Sequence, residues 1–364
     1  MEPGTREFPC TSCGAKVQFA PGTASLVCPH CGSKTEVEAE VAIVQEHSFA
    51  EGIRAAKRVL PSELSAGGQE VSCEGCGAVS VVAGQAGRCA FCDSPVVLRQ
   101  NPEPLMAPET LLPFGITQDV ANSSYRKWLA SRWFAPNDLI IRAVRHGMDG
   151  IYLPYWTYDA RTVTRYVGQR GEHYWDEETY MEKGQRKTRK VRKTRWYPAA
   201  GTVDVPFDDV LVCASKGLPQ PLAQGLEPWD LPALVPYNPN YLAGFSAERY
   251  SVDLEEGFKV AKSRMEPVIQ SAIRRDIGGD EQRIVTMNVN YHGVTFKHLL
   301  LPVWLSSYRY QEKVFRFLVN ARTGAVSGER PWSWIKITLA VLAVLVIIGI
   351  IVALSQSGQA PRRH

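Results

Sequence analysis

Four Cys-x-x-Cys pairs near the N-terminus constrain this chain more than any other feature. Cys10-Thr-Ser-Cys13 and Cys28-Pro-His-Cys31 are separated by 14 residues, and Cys73-Glu-Gly-Cys76 and Cys89-Ala-Phe-Cys92 by 12. A Cys-x-x-Cys pair forms a knuckle on a hairpin, and two knuckles at this separation close four thiolates into a tetrahedron around Zn²⁺. Gly14, Gly32 and Gly77 follow three of the pairs and Asp93 the fourth, residue types that tolerate the left-handed backbone needed to aim N–H groups at sulfur. The predicted ligands are therefore Cys10, Cys13, Cys28 and Cys31 for one structural Zn²⁺, and Cys73, Cys76, Cys89 and Cys92 for a second. Redox or disulfide chemistry is the competing use of such pairs, but a redox motif is not normally paired twice at ribbon spacing. A closed Cys₄ set has no open coordination position for catalysis, so these ions are expected to fold small modules. His30 reads as a spectator, and Cys213, in the run Val210-Leu211-Val212-Cys213, as a buried strand residue.

The second constraint lies at the other end. Ile337 to Leu354 carries no charge and is rich in Val, Ile and Leu. At 1.5 Å per residue it reaches about 27 Å, close to the hydrocarbon thickness of a bilayer. Trp332 and Trp334 would sit at the interface and Lys336 can snorkel, so a transmembrane helix over 334–354 with a short tail, 355–364, is expected. The N-terminus lacks the regions of a signal peptide, and thiolates that bind metal belong in a reducing compartment. A single-pass, tail-anchored protein with cytoplasmic N-terminal domains is the consequence.

Between these ends, a chain of 364 residues leaves room for two to three domains. Ser48-Phe49-Ala50-Glu51 reads as a capping box opening a helix to about Leu60, stopped by Pro61. The expected segments are a ribbon over 1–46, a spacer helix over 47–62, a second ribbon over 68–99 and a proline-rich linker over 100–109. A sheet-dominated body follows over 110–331. Leu112-Pro113-Phe114, a helical stretch and Leu153-Pro154-Tyr155-Trp156 are echoed by Val235-Pro236-Tyr237, a helical stretch over 253–275 and Leu301-Pro302-Val303-Trp304. An internal duplication with halves 110–220 and 230–330 explains this most economically. Strands are expected over 201–212, 283–291, 294–300 and 313–319, the second and third joined by a tight His292-Gly293 turn. The fold class is thus α+β multidomain: two rubredoxin-like zinc ribbons, a β-rich α+β body and one transmembrane helix.

With 41 Lys+Arg against 37 Asp+Glu, the chain has no global basic field, so any electrostatic function is local. Lys183, Arg186, Lys187, Arg189, Lys190, Arg192, Lys193 and Arg195 form the densest run of cations, a candidate contact for anionic lipid or nucleic acid. The acidic stretch Glu172, Asp176, Glu177, Glu178 and Glu182 precedes it, and a turn at Lys183-Gly184-Gln185 would face the two across a self-neutralised hairpin. No P-loop, G-x-S-x-G, H-E-x-x-H, kinase or dinucleotide-binding sequence occurs, so an enzymatic activity is not expected.

In its paired ribbons, its Leu-Pro-Phe and Leu-Pro-x-Trp segments, Arg195-Trp196-Tyr197-Pro198 and its terminal anchor, the chain resembles a bacterial family of membrane-tethered proteins with TFIIB-type zinc ribbons. Members are often labelled primosomal protein N′-like superfamily II helicases, a label that echoes the cysteine spacing. Their genes commonly lie beside those of phage-shock-protein-A-like, flotillin-like (SPFH) and TPM-domain proteins. The resemblance implies zinc-ligand roles for the eight cysteines and a place in envelope stress or membrane organisation at the cell membrane. It implies no catalytic residues. A non-enzymatic adaptor presenting its ribbons to such protein partners is the first expectation; a membrane-tethered nucleic-acid-binding protein is the alternative.

Overall fold

The computed structural model describes residues 9–37, 45–56, 69–73, 75–82, 89, 91–92, 94, 96–98, 106–136, 147–182, 184–310 and 313–357. Asp93, Lys183, most of the 100–109 linker, the expected helix end at Leu60-Pro61 and the end of the C-terminal tail lie outside them.

In chain order the elements are β1 (Gln18–Phe19), β2 (Ser25–Val27), β3 (Lys34–Glu36), β4 (His47–Ser48), α1 (Phe49–Ala56), β5 (Gln69–Cys73), β6 (Val79–Val82), β7 (Val96–Leu98) and β8 (Thr110–Leu111). Then come α2 (Gln118–Ala130), β9 (Asp149–Glu182), β10 (Gln185–Cys213), α3 (Gln220–Gln224), β11 (Val235–Pro236), β12 (Ser246–Glu248), α4 (Leu254–Ile277), β13 (Glu281–Tyr310), β14 (Lys313–Asn320), β15 (Val326–Gly328) and α5 (Trp334–Ser357). The first ribbon keeps its own small sheet, ordered β1-β2-β3. The other strands join one sheet ordered β11-β8-β13-β9-β12-β6-β5-β7, with β10 on β9, β14 and β4 on β13, and β15 on β14. The second ribbon is therefore part of the body's sheet rather than a separate bead, because β6 pairs with β12 through Val81↔Ala247 and Ser80↔Glu248.

β9 is the axis. It pairs antiparallel with β13 from Asp149 to Gly171 and with β10 from Tyr155 to Glu182. Successive side chains on a strand point to opposite faces, so one strand serves two cores. Ile151, Leu153 and Tyr155 enter a cluster shared with the second ribbon, while Trp156, Tyr158 and Tyr166 enter another beneath α4. α4 starts where the Asp253 side chain accepts from the Glu256 N–H at 2.7 Å, an N-cap. Phe258, Ala261, Met265, Ile269 and Ile273 recur at i, i+3/i+4 spacing and face β9 and β10. Polar ties fix the helix along the strand: Trp156 Nε1 to the Val252 carbonyl (3.0 Å), Tyr158 Oη to the Leu254 carbonyl (2.7 Å) and Tyr166 Oη to the Asp276 carboxylate (2.5 Å).

The sequence-based strands 283–291 and 294–300 are corrected here. They form one strand, β13, and Gly293 (φ +59°) serves a bulge rather than a reversal, since His292 opposes Arg161 and Thr295 opposes Asp159 on the same β9. The expected 201–212 strand is the far half of β10, and Glu182 pairs with Gln185 where the chain reverses at Gly184 (φ +79°). The 313–319 strand stands as β14 and the 253–275 helix as α4.

α5 lies outside these cores. Trp334–Val352 is long and apolar enough to cross a membrane and none of it is buried in the body. It leaves the body beside α2: the Ser333 N–H donates to the Phe134 carbonyl (2.7 Å) and Lys336 Nζ to the Ala135 carbonyl (2.7 Å).

Ile269 is fully buried under α4, so Ile269→Ala should cost about 2–4 kcal/mol of stability. Urea denaturation followed by circular dichroism in detergent checks this; an unchanged midpoint would refute the packing of α4 on β9.

Candidate metal centres and charged hairpin

All four knuckles share one local design. Cys10 N–H donates to the Ala15 carbonyl (2.7 Å) and Gly14 N–H to the Cys10 carbonyl (2.8 Å). The same pair of bonds recurs as Cys28–Ser33 with Gly32–Cys28 and as Cys73–Ala78 with Gly77–Cys73, and the first of the two as Cys89–Ser94. Gly14, Gly32 and Gly77 have φ between +73° and +76°, the left-handed conformation expected of them. The tight turns converge their sulfurs. Cys10–Cys31 Sγ atoms lie 3.5 Å apart and Cys13–Cys28 3.6 Å; in the second set Cys73–Cys92 are 3.3 Å apart and Cys76–Cys89 3.6 Å. A tetrahedron with metal–sulfur bonds of about 2.3 Å has edges of about 3.8 Å, so each group is arranged to hold one metal ion of zinc's size.

The electrostatics agree. The Ser12 backbone N–H, donating to Cys10 Sγ at 3.4 Å, lowers the Cys10 thiol to about 6, and the Cys31 N–H lowers Cys28. At Cys92, where burial works against ionisation, the Ser94 hydroxyl and N–H still hold the thiol down at about 7. Their neighbours are pushed the other way: Cys13, despite the Ala15 N–H, rises to about 12 beside Cys31, and Cys76 rises beside Cys89. Four adjacent thiolates repel one another, and a divalent cation at the centre is what lets all four ionise.

The two centres differ in setting. Cys13 and Cys31 are exposed at the rim of the first ribbon, which is tied to the body by Phe19: its N–H donates to the Ala243 carbonyl (2.9 Å) and its ring meets Tyr241 edge-on. Cys73, Cys89 and Cys92 are buried, and Phe91 between them is fully enclosed, its carbonyl accepting from Arg316 Nε at 2.6 Å. His30 is outside both ligand groups, and Cys213 ends β10 in the core, where burial pushes its thiol up to about 12.

The basic run occupies β10 opposite the acidic end of β9, beyond the last pairing with β13 at Gly171. Residues directly opposite in an antiparallel pair share a face. One face carries Lys187, Arg189, Lys193 and Arg195 and is neutralised: Lys187–Glu182 (2.7 Å), Arg189–Glu178 (3.0 Å) and Lys193–Asp176 (2.7 Å), with Arg195 stacked over Tyr174. Lys193 thereby holds the Asp176 carboxyl below its usual value. The other face carries Arg186, Lys190 and Arg192, none in an ion pair among the described residues. Beside them Trp175 and Met181 are 69% and 70% exposed. Sequence reading grouped all eight cations as one site and missed Trp175 and Met181; the two-residue alternation of a strand was the signal that separates them.

Two buried titratable groups lie elsewhere. Glu248 is fully enclosed on β12, one carboxylate oxygen accepting from Ser215 Oγ at 2.6 Å and the other without a partner among the described residues, and burial raises it to about 8. His298, buried against Trp156 with ring centroids 4.5 Å apart, is lowered by burial to about 4. A further cluster of carboxylates, Glu46, Asp159 and Asp208, lies beside Lys297, whose Nζ is 2.7 Å from Asp209 and 3.3 Å from Glu46, so an ammonium already supplies a cation there.

The chain is 28% identical over 235 residues, 63% of its length, to the uncharacterized protein YdjG of Bacillus subtilis (strain 168), and it spans 65% of that relative's length. No family model matches the chain, and no solved structure matches it.

The unequal burial of the two centres sets an order of metal loss. Cys13→Ser should remove one equivalent of metal and lower the melting of the body less than Cys73→Ser does, which should remove one equivalent and cost the body about 2 kcal/mol of stability or more. Elemental analysis with thermal melts distinguishes them, and full metal content in both variants would refute the ligand assignment.

Linkage at Glu248 and His298 predicts a pH profile. Native Glu248 keeps its proton to about 8 while the unfolded chain loses it near 4.5, so stability falls as pH rises through that window. Native His298 stays neutral down to about 4 while the unfolded chain is protonated below 6.5, so stability falls as pH drops. Between 4.5 and 6.5 the two slopes cancel, leaving a loss of about 2 kcal/mol from pH 6.5 to 8. Urea titration of the metal-loaded protein should show that loss, and Glu248→Gln should flatten it.

Proposed function

We propose that the protein is a non-enzymatic adaptor of the bacterial cell membrane, anchored through α5, with its ribbons and body on the cytoplasmic side. In this reading the ions are Zn²⁺, held as thiolate complexes in a reducing compartment. The observation that carries it is the division of labour between the centres: the second ribbon is consumed in the body's sheet, while the first stands outside it with the tips of both knuckles in solvent. A metal-braced, solvent-facing pair of turns is a rigid surface of the kind protein partners use, since little conformational entropy is lost on binding it.

The topology supports a duplicated body. β8–α2–β9–β10 and β12–α4–β13–β14 follow the same order, and β9 and β13 meet in the middle with Leu153 opposite Leu301. β8 runs parallel to β13, and β12 parallel to β9, so the short strand that precedes the helix of each half joins the long strand of the other. Residues that look repeated in sequence thus meet across a local two-fold arrangement. The family resemblance directs the search for partners toward phage-shock-protein-A-like and flotillin-like proteins in envelope stress or membrane organisation.

The test is affinity purification of the full chain from crosslinked native membranes, with and without nuclease. Phage-shock or flotillin-like proteins should be enriched, survive nuclease, and be lost from a Thr11→Arg/His30→Glu variant whose metal content is unchanged, both positions being exposed on the first ribbon. Recovery of replication or transcription proteins that vanishes on nuclease treatment would overturn the adaptor reading in favour of nucleic-acid binding.

A further inference from the structure

The end of the β9–β10 hairpin projects as a two-stranded arm past Gly171, where β13 stops. Its 11 residues of β9 extend for about 36 Å at 3.3 Å per residue. The two faces of the arm are chemically unlike. On the first, four cations meet four carboxylates and two tyrosines, and the charge is spent internally. On the second, Arg186, Lys190 and Arg192 share the surface with exposed Trp175 and Met181, and Glu177 is the arm's own carboxylate there. At the root of this face Arg283 stacks on Trp196 at 3.8 Å, while Glu281 is taken up by His173 (2.8 Å) and Thr194 (2.9 Å).

We propose that the Trp175–Met181–Arg186–Lys190–Arg192 face of the arm docks on anionic lipid headgroups and so lays the body along the bilayer that α5 enters.

The composition of the face selects this partner. Arg and Lys attract anionic headgroups, while an exposed indole and thioether between them partition below the headgroup level, the arrangement of interfacial anchors. A nucleic acid fits less well, because the arm carries five carboxylates against its seven described cations and presents an open face without a groove. The anchor supplies the concentration: a chain held by α5 meets the leaflet as an intramolecular partner. Geometry then dictates orientation. α5 leaves the body beside Ala135, which shares a core with Met148 and Tyr152 at the start of β9. From there to Trp175 is a path of about 80 Å along the strand, far beyond a Debye length, so the arm reaches headgroups only when β9 runs along the membrane.

The proposal rests on the reading of α5 as a membrane span, and the experiment separates the two. The full-length protein is reconstituted in nanodiscs with a photo-crosslinking p-benzoylphenylalanine at position 175, or at position 174 on the opposite face. In phosphatidylglycerol discs, position 175 should give lipid adducts several-fold above position 174. The yield should fall at least about fivefold in phosphatidylcholine discs and in Arg186→Glu/Lys190→Glu/Arg192→Glu, as the attraction per basic residue near an anionic leaflet implies. Lys187→Gln/Arg189→Gln, on the neutralised face, should leave it unchanged. Equal yields from both positions, or a yield indifferent to headgroup charge, would overturn the proposal. So would binding of a single-stranded or duplex oligonucleotide to phosphatidylcholine-disc protein that the triple variant abolishes, which would assign the face to nucleic acid. Release of the full chain from membranes by alkaline carbonate would instead overturn the span reading of α5.

Discussion

Backbone pairing on both sides of β9 holds the rest of the molecule in place. A strand paired twice has no freedom of register, because a one-residue slip against either neighbour would turn Trp156 and Tyr158 away from α4 and drive Tyr155 and Leu153 out of the opposite core. Mismatches in length between the three long strands are absorbed at bulges on the outer two, at 207/210 in β10 and at 284/286 and 292/295 in β13, while β9 itself runs without interruption. The bulge in β10 sets Asp209 at φ +49°, where its N–H reaches the Asp159 carboxylate (2.5 Å) and its own carboxylate meets Lys297. The irregularities are thus satisfied locally, and the register of the central strand is preserved.

This frame explains why two metal centres with the same local chemistry couple differently to the fold. Metal binding orders its knuckles in either ribbon, and the free energy of that ordering passes to whatever the ribbon is joined to. In the second ribbon it passes through β6 and β12 directly to β9. In the first it passes through side-chain packing rather than strand pairing: Phe19, Leu26 and Val37 sit in the core with Leu111, Tyr152 and Trp304, and the Gly22 N–H donates to the Phe114 carbonyl (2.9 Å).

Local chemistry was legible in the sequence and long-range pairing was not. The knuckles, the helical stretch of α4, the turn at Gly184 and the apolar α5 are each specified by residues within a few positions of one another, and all could be read directly. The His292-Gly293 dipeptide shows the limit. It is a sound hairpin signal, yet the flanking strands find a better partner in β9 than in each other, and the glycine's left-handed conformation goes to a bulge. Likewise the second ribbon read as a separate bead because its attachment runs through Ser80 and Glu248, residues far apart in sequence with no local mark of their meeting.

The arm shows how two periodicities on facing strands produce two unlike faces. Glu172, Asp176, Glu178 and Glu182 are spaced by even numbers along β9, so the pleat sends them all to one side. The basic strand instead repeats every three residues, Arg186-Lys187, Arg189-Lys190 and Arg192-Lys193, and a period of three on a pleat of two sends one cation of each doublet to each face. Neutralising the carboxylates required only every second residue to be basic. Exposed ion pairs of this kind add little to stability, so the paired cations chiefly favour the register of the hairpin. The second cation of each doublet lies on the other face, where Glu177, opposite Lys190, is the arm's one carboxylate, so that face keeps an excess of positive charge beside the exposed Trp175.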